Sequence, residues 1–241
     1  MKICAVIPAA GRGTRLGSDV PKILIPLTDT QTLWTILHRK LAPLVDHIHL
    51  VLSPDGAAAF PERPVNVSQS VQPAPTGMGD AIFRGYPIWS QFDAILVVWG
   101  DQVFVSTDTI TRAIASLNDP HRHAVLPVTR MATPYVEYVF DSDRLTQVLQ
   151  TREGDVTHPN GFSDVGTFLL GTESLQSAWQ DYLAAAPRGS ATGEINFLPF
   201  LPFLNSKGWR IEPLEVADAT EARGINTPED LDFFRKLYKN A

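Results

Sequence analysis

Ile3-Cys4-Ala5-Val6-Ile7-Pro8-Ala9-Ala10-Gly11-Arg12-Gly13-Thr14-Arg15-Leu16-Gly17-Ser18-Asp19-Val20-Pro21-Lys22 opens the chain. The apolar run over residues 3–7 predicts a short buried strand, which feeds a loop with no bulky side chain near its apex. Three cations, Arg12, Arg15 and Lys22, follow within eleven residues. Glycines let backbone N–H groups approach an anion closely, and the cations add charge and fork-shaped donors, so the stretch is suited to grip a triphosphate. It is not a P-loop, because Leu16-Gly17-Ser18 stands where Gly-Lys-Ser/Thr is needed. Nor is it the dinucleotide fingerprint, since Leu16 occupies the third glycine position.

Outward from this loop, strands and helices alternate. Residues 48–52, 94–99 and 124–128 read as further buried strands, and residues 32–44, 79–89 and 107–117 carry apolar side chains at helical spacing. That alternation predicts an α/β fold, a doubly wound and mostly parallel sheet of Rossmann-like type. After residue 130 the pattern changes. Residues 135–140 and 145–151, separated by Asp141-Ser142-Asp143-Arg144, read as an inserted β-hairpin. Residues 165–170 read as a strand, 173–186 as a helix, 188–194 as a flexible lid over an acceptor, 195–204 as a short helix and 209–216 as a strand. A terminal helix spans 227–238, with Pro228 at its first position and Glu229-Asp230 in its first turn. The expected organisation is one domain over 1–241. Its parts are a nucleotide-binding half (1–130), an acceptor-binding half (131–226) and the terminal helix (227–241).

With 241 residues, 44% hydrophobic and 19% charged, the chain has the composition of an ordinary soluble protein. A net charge of -6 argues against nucleic acid or an anionic membrane as the main partner, so any anion grip must be local. The single Cys4 lies inside the first strand and cannot form an internal disulfide. With no long apolar segment, the cytoplasm is the default location. A homo-oligomer is compatible with all of this.

Three further features lie in chain order after the loop. Gln72 stands five residues before Gly77 in Gln72-Pro73-Ala74-Pro75-Thr76-Gly77-Met78-Gly79-Asp80-Ala81, Trp99-Gly100-Asp101 ends an apolar strand, and Gly224-Ile225-Asn226 precedes the last helix. In this order the four features resemble the nucleotide-diphospho-sugar pyrophosphorylases, especially the uridylyltransferase domain of the N-acetylglucosamine-1-phosphate enzymes. Those begin with an apolar strand and Ala-Ala-Gly-x-Gly-Thr-Arg-Met/Leu, with Pro-Lys shortly after. The resemblance implies transfer of NMP from an NTP, UTP before CTP, to a phosphorylated small acceptor, a sugar 1-phosphate foremost, with release of pyrophosphate. It also implies that the β-helix acetyltransferase domain of some relatives is absent.

Such a transfer needs no general base, because the attacking phosphate is already an anion; positioning and charge neutralisation suffice. As the resemblance implies, Arg15 would contact the leaving phosphates and Lys22 the α-phosphate. Ala9, Ala10, Gly11, Gly13 and Thr14 would cradle the nucleotide, with Gln72, Gly77 and Met78 at the base. Asp101, at the carboxyl end of a strand, would join Asn226 in holding Mg²⁺, a cation that takes one or two protein oxygens and completes its shell with phosphate and water. Glu137, Gln150, Asp164 and Glu194 are the candidates for the acceptor pocket, with Glu153 a substitute for the acidic residue that would meet sugar hydroxyls. The relatives' Thr and His near Gly77 are Met78 and Asp80 here, and their Gly-rich hairpin loop is Tyr135-Val136-Glu137-Tyr138.

Two other functions stay open at this point. The opening residues also resemble methylerythritol-phosphate cytidylyltransferases, which makes a cytidylyltransferase of a polyol phosphate, phosphonate or phosphocholine the alternative. A nucleotide-binding regulator without turnover is the alternative from another class. Asp141-Ser142-Asp143 spells a glycosyltransferase metal motif but falls in a hairpin turn. His121-Arg122-His123 follows Asn118-Asp119-Pro120 and reads as a solvated loop rather than a metal site. Arg235, Lys236 and Lys239 sit where cations favour a helix dipole.

Overall fold

The computed structural model describes residues 1–11, 13, 16–17, 20–60, 64–185 and 188–239. Strand β1 (Ile3–Ala9) lies in the middle of a ten-stranded sheet, hydrogen-bonded on one side to β2 (His47–Leu52) and on the other to β4 (Ala94–Val98), both parallel to it. β3 (Val67–Val71) continues the parallel ladder beyond β2 at the edge. Beyond β4 the sheet turns antiparallel through β9 (Thr167–Gly171), β5 (His123–Met131), β8 (Gly161–Asp164), β6 (Val136–Asp141) and β7 (Arg144–Gln150). β10 (Arg210–Glu215) pairs parallel with β5.

β1 is apolar throughout because both of its faces are covered. Ile3, Ala5, Ile7 and Ala9 point into one core with α1 (Leu33–Leu41), α5 (Thr107–Ser116) and α8 (Pro228–Lys239); Cys4 and Val6 point into another. That second core holds α3 (Met78–Arg84), α4 (Tyr86–Trp89), α6 (Leu175–Ala185) and α7 (Phe200–Ser206). Helices on both faces are what a parallel sheet requires, so the doubly wound expectation holds. The second core is aromatic: Phe83 stacks on Trp179 with centroids 4.3 Å apart, and Phe200 meets Trp179 edge-on at 5.0 Å.

Several boundaries depart from the sequence pattern, each for a local reason. The helix expected over 79–89 is two helices. Pro87 lacks the N–H that would continue α3, and Gly85 at the junction packs so closely on His49 that a Cβ would lie 2.8 Å from its ring. The strand expected over 165–170 is β9, which starts only at Thr167 because Gly166, at φ +72°, turns the chain between it and β8, a strand the pattern did not show. Residues 195–199 are not helical; α7 starts at Phe200, with Pro199 just before it and Pro202 in its first turn. The short α2 (Pro54–Ala59), capped by Ser53, and the polar edge strand β3 carry too weak a periodicity to be seen in sequence. His123 is not a solvated loop residue. It begins β5, buried, with Nε2 3.1 Å from Glu212, while His121 pairs with Glu173.

Candidate active site

Lys22 and Asp101 meet at the carboxyl end of the parallel strands, where open α/β sheets bind ligands. Asp101 follows β4 through Gly100, whose bare Cα lets the turn pack on the end of β1; a Cβ there would lie 3.3 Å from that of Ala9. Lys22 starts a single 3₁₀ turn after Pro21, and Gly13, at φ +65°, closes against its stem. Its Nζ donates to Asp101 Oδ2 at 2.6 Å and to Asn226 Oδ1 at 3.1 Å. Asn226 is delivered by the start of α8. Asp230 Oδ2 accepts from the N–H groups of both Asn226 and Thr227, while the N–H of Ile225 reaches the carbonyl of Asp101.

These groups stand at the wall of a cleft of about 830 Å³. Of the residues singled out in the sequence, Ala9, Gly11, Lys22, Met78, Asp101, Gln150, Asp164, Glu194 and Asn226 line it. Ala10, Gly13, Gln72, Gly77 and Glu137 do not. Arg12, Thr14 and Arg15 fall outside the described residues.

Glu137 is displaced by strand alternation. Its neighbour Val136 faces the cleft, whereas the Glu137 carboxylate accepts from the His158 N–H at 2.6 Å and meets its ring Nδ1 at 3.1 Å. Gln72 is buried, and its amide nitrogen donates to Thr76 Oγ1, the Gly77 carbonyl and Asp80 Oδ2. Burial works against ionisation of Asp80, but the bonds from Gln72, Thr76 and Arg84 outweigh it and hold the carboxyl below its usual range. Gly77 is required by its φ of +116° and by Ile195, whose carbonyl oxygen would lie 2.6 Å from a Cβ.

At the end of β8, burial pushes the Asp164 carboxyl up. Bonds from Tyr138 Oη (2.9 Å) and the Gly166 N–H (2.7 Å) oppose this rise, and the charge of Asp101 adds to it. Sequence reasoning missed Arg152, whose Nη2 donates to Glu194 Oε2 at 2.7 Å and to Asn196 Oδ1 at 2.8 Å. Glu153, expected as a substitute at the sugar, is turned elsewhere. It accepts from the N–H groups of Ala191 and Thr192, the Thr192 hydroxyl and the Asn196 amide. Burial opposes its ionisation, yet these donors bring its pKa down to about 2. Residues 188–194 are thus latched to the turn after β7, with Thr192 and Glu194 in the cleft wall. Partners some forty residues apart in the chain leave no local signal.

The model of the MobA-like NTP transferase domain matches residues 5–165. The chain belongs to this family. A bifunctional protein GlmU of Acidithiobacillus ferrooxidans is 28% identical over 251 residues, covering 97% of this chain and 51% of the relative. One from Pseudomonas putida is 25% identical over 244 residues, covering 99% and 52%. The chain therefore spans about half the length of the curated relatives it matches. Two solved structures share the fold. One, titled a glucose-1-phosphate thymidylyltransferase from Bacillus anthracis, matches with TM-score 0.77 and 16% identity, covering 99% of this chain and 96% of the other. The other, a 4-diphosphocytidyl-2C-methyl-D-erythritol synthase from Anaerococcus prevotii, matches with TM-score 0.69 and 17% identity, covering 99% and 98%. The resemblance to nucleotide-diphospho-sugar pyrophosphorylases holds at the level of family and fold. Among the described residues, no helix is long and apolar enough to cross a membrane.

Proposed function

We propose that this NTP transferase domain moves NMP from an NTP to a phosphorylated small acceptor, a sugar 1-phosphate foremost, and releases pyrophosphate. UTP is the first nucleotide to test and CTP the second. The observation that carries this assignment is the convergence of Lys22, Asp101 and Asn226 at the strand ends, in the wall of a cleft wide enough for both substrates. In the reaction an acceptor phosphate oxygen attacks the α-phosphorus, a new P–O bond forms, and the bond to the β-phosphate breaks. The electron pair leaves with pyrophosphate. Lys22 binds and neutralises phosphate oxygens, and the backbone after β1 cradles the triphosphate. Gln150, Asp164 and the Arg152–Glu194 pair offer the acceptor hydrogen-bonding groups.

Asp101 and Asn226 fit a Mg²⁺ site. Both are hard oxygen donors, and their oxygens already converge on one cationic atom. Gly224 leaves a gap beside them, since a Cβ there would crowd Asn226 Nδ2 at 3.1 Å and Asp101 Cγ at 3.5 Å. Mg²⁺ takes one or two protein oxygens and completes its shell with phosphates and water, so two donors suffice. Bound there, Mg²⁺ would supply charge neutralisation on the phosphates.

The test is pyrophosphate release with Mg²⁺ from UTP, CTP, ATP, GTP and dTTP. Each is offered with sugar 1-phosphates, polyol phosphates, phosphocholine and phosphonates. Release that depends on one NTP and one acceptor class is expected. Silence across the grid from protein that binds an NTP would overturn the assignment in favour of a regulator.

A further inference from the structure

Lys22 does more in this geometry than wait for a phosphate. Its single Nζ satisfies both Asp101 Oδ2 and Asn226 Oδ1, the two oxygens assigned above to the metal. We propose that Lys22 is the resident cation of the metal subsite: its ammonium excludes a divalent cation from the nucleotide-free protein and yields the place only when a triphosphate draws it away. This rests on the nucleotidyltransferase assignment and adds an order of binding to it.

Three observations carry the exchange. First, the distances leave no room to share. A Mg²⁺ ion needs its oxygens at about 2.0–2.1 Å, so it would sit within about 3 Å of an ammonium that held the same two atoms. Second, the pair is largely buried, with 19% of each side chain exposed, so solvent screens the repulsion between two cations poorly. Third, the backbone that carries the acceptors is tied down, while the donor sits at the end of a long side chain. Asn226 is tied to Asp230 and its segment to the Asp101 carbonyl, whereas the Lys22 ammonium rides on a flexible four-carbon stem with rotatable donors. One carboxylate and one ammonium leave the resting pair without net charge, a poor lure for a divalent ion. A triphosphate offers Lys22 a stronger counter-ion and brings oxygens of its own to the metal. Metal and nucleotide must then favour each other's binding, by the same factor in each direction.

The experiment measures Mn²⁺ binding by electron paramagnetic resonance to the whole chain without nucleotide. Wild type is compared with Lys22→Met, Asp101→Asn and the double variant, and circular dichroism checks folding. Lys22→Met should bind Mn²⁺ at least tenfold more tightly than wild type, and the double variant should lose that gain. If Lys22→Met misfolds, Lys22→Gln takes its place with the same expectation. Equal affinity in wild type and Lys22→Met, both weakened by Asp101→Asn, would overturn the exchange and leave the metal site standing. No Asp101-dependent binding in any variant would overturn the exchange and the metal site together. Pyrophosphate release by wild type decides independently whether the transfer assignment stands.

Discussion

The two sides of the cleft are built on different plans. On the side proposed for the nucleotide, Asp101 comes three residues after β4 and Asn226 two before α8, and backbone bonds place their segments. On the side proposed for the acceptor, the wall is a web of side chains from distant segments. Arg152 and Glu153, just after β7, bind residues 191–196, and Tyr138 on β6 binds Asp164 at the end of β8. Parallel strands end together, so the first plan brings short motifs to one edge. The second depends on which loops happen to lie side by side, so it can change its ligand without disturbing the sheet.

Asp101→Asn tests the first plan and should have the largest effect. Losing the carboxylate that would hold the charge-neutralising cation at the phosphates should lower kcat by on the order of 10²–10³. The fold should barely change, because an asparagine oxygen can still accept from the Lys22 ammonium and the pair lies in the cleft wall rather than in either core. Pyrophosphate release and a thermal midpoint measured on one preparation check this. Near-normal turnover in the folded variant would remove Asp101 from the chemistry.

The same contrast explains what could be read in advance. The convergence of Lys22, Asp101 and Asn226 on one cleft wall, and the terminal helix, were legible because their patterns are local: an apolar run, a glycine, a polar residue at fixed spacing. Arg152 was not, since its partners Glu194 and Asn196 lie 42 and 44 residues away. Glu137 and Glu153 carried the right chemistry and faced the wrong way. One was turned by the alternation of β6, and the other was taken up by the amides of residues 191 and 192. Sequence reports what a side chain can do more readily than which neighbour has already claimed it.

Glu153→Ala tests the second plan. It frees the exposed Ala191 and Thr192 amides together with the Asn196 side chain, and the net loss of such bonds costs about 0.5–1.5 kcal/mol each. With residues 188–194 unlatched, KM for the acceptor should rise about tenfold by a similar free energy, while KM for the NTP stays within about twofold. An equal rise in both constants would show that the two sides are not separable.

Acid should distinguish the two sides as well. On the nucleotide side His49 is buried between β2 and β3, its ring nitrogens 2.8 Å from Ser68 Oγ and 3.0 Å from Ser70 Oγ. Burial first, and the charge of His47 second, bring its pKa down to about 4. The unfolded chain takes up that proton near the ordinary histidine value, well before the native state does. Stability is therefore lost as pH falls from about 6.5 towards 4, by up to roughly 3 kcal/mol. Glu153 acts in a lower range: its contribution is whole above the ordinary glutamate value and is lost as pH falls from about 4.5 towards about 2. Between pH 6.5 and 4, hydrogen exchange should rise in β2 and β3 while residues 188–194 keep their protection. His49→Gln should flatten the pH dependence of the thermal midpoint. A slope unchanged in that variant would assign the acid sensitivity to another group.

The smallest effect concerns a polar group beside the best-defined motif. Gln102 follows Asp101 and is 6% exposed. Its Oε1 is buried with no hydrogen-bond partner among the described residues, and its Nε2 reaches the Ala222 carbonyl at only 3.4 Å. An orphaned buried oxygen is a cost that an apolar side chain of similar size removes. Gln102→Leu should therefore keep the thermal midpoint or raise it, by a free energy of at most about 1 kcal/mol, and leave kcat within about threefold. Because Gly166 and Gly224 pack directly against this side chain, a branched replacement also tests how tightly the floor of the nucleotide side is filled. A midpoint that falls by several degrees would show the packing to be intolerant. A kcat that drops tenfold or more at an unchanged midpoint would show that the orphaned oxygen takes its partner during the reaction, and would extend the locally encoded part of the site by one residue.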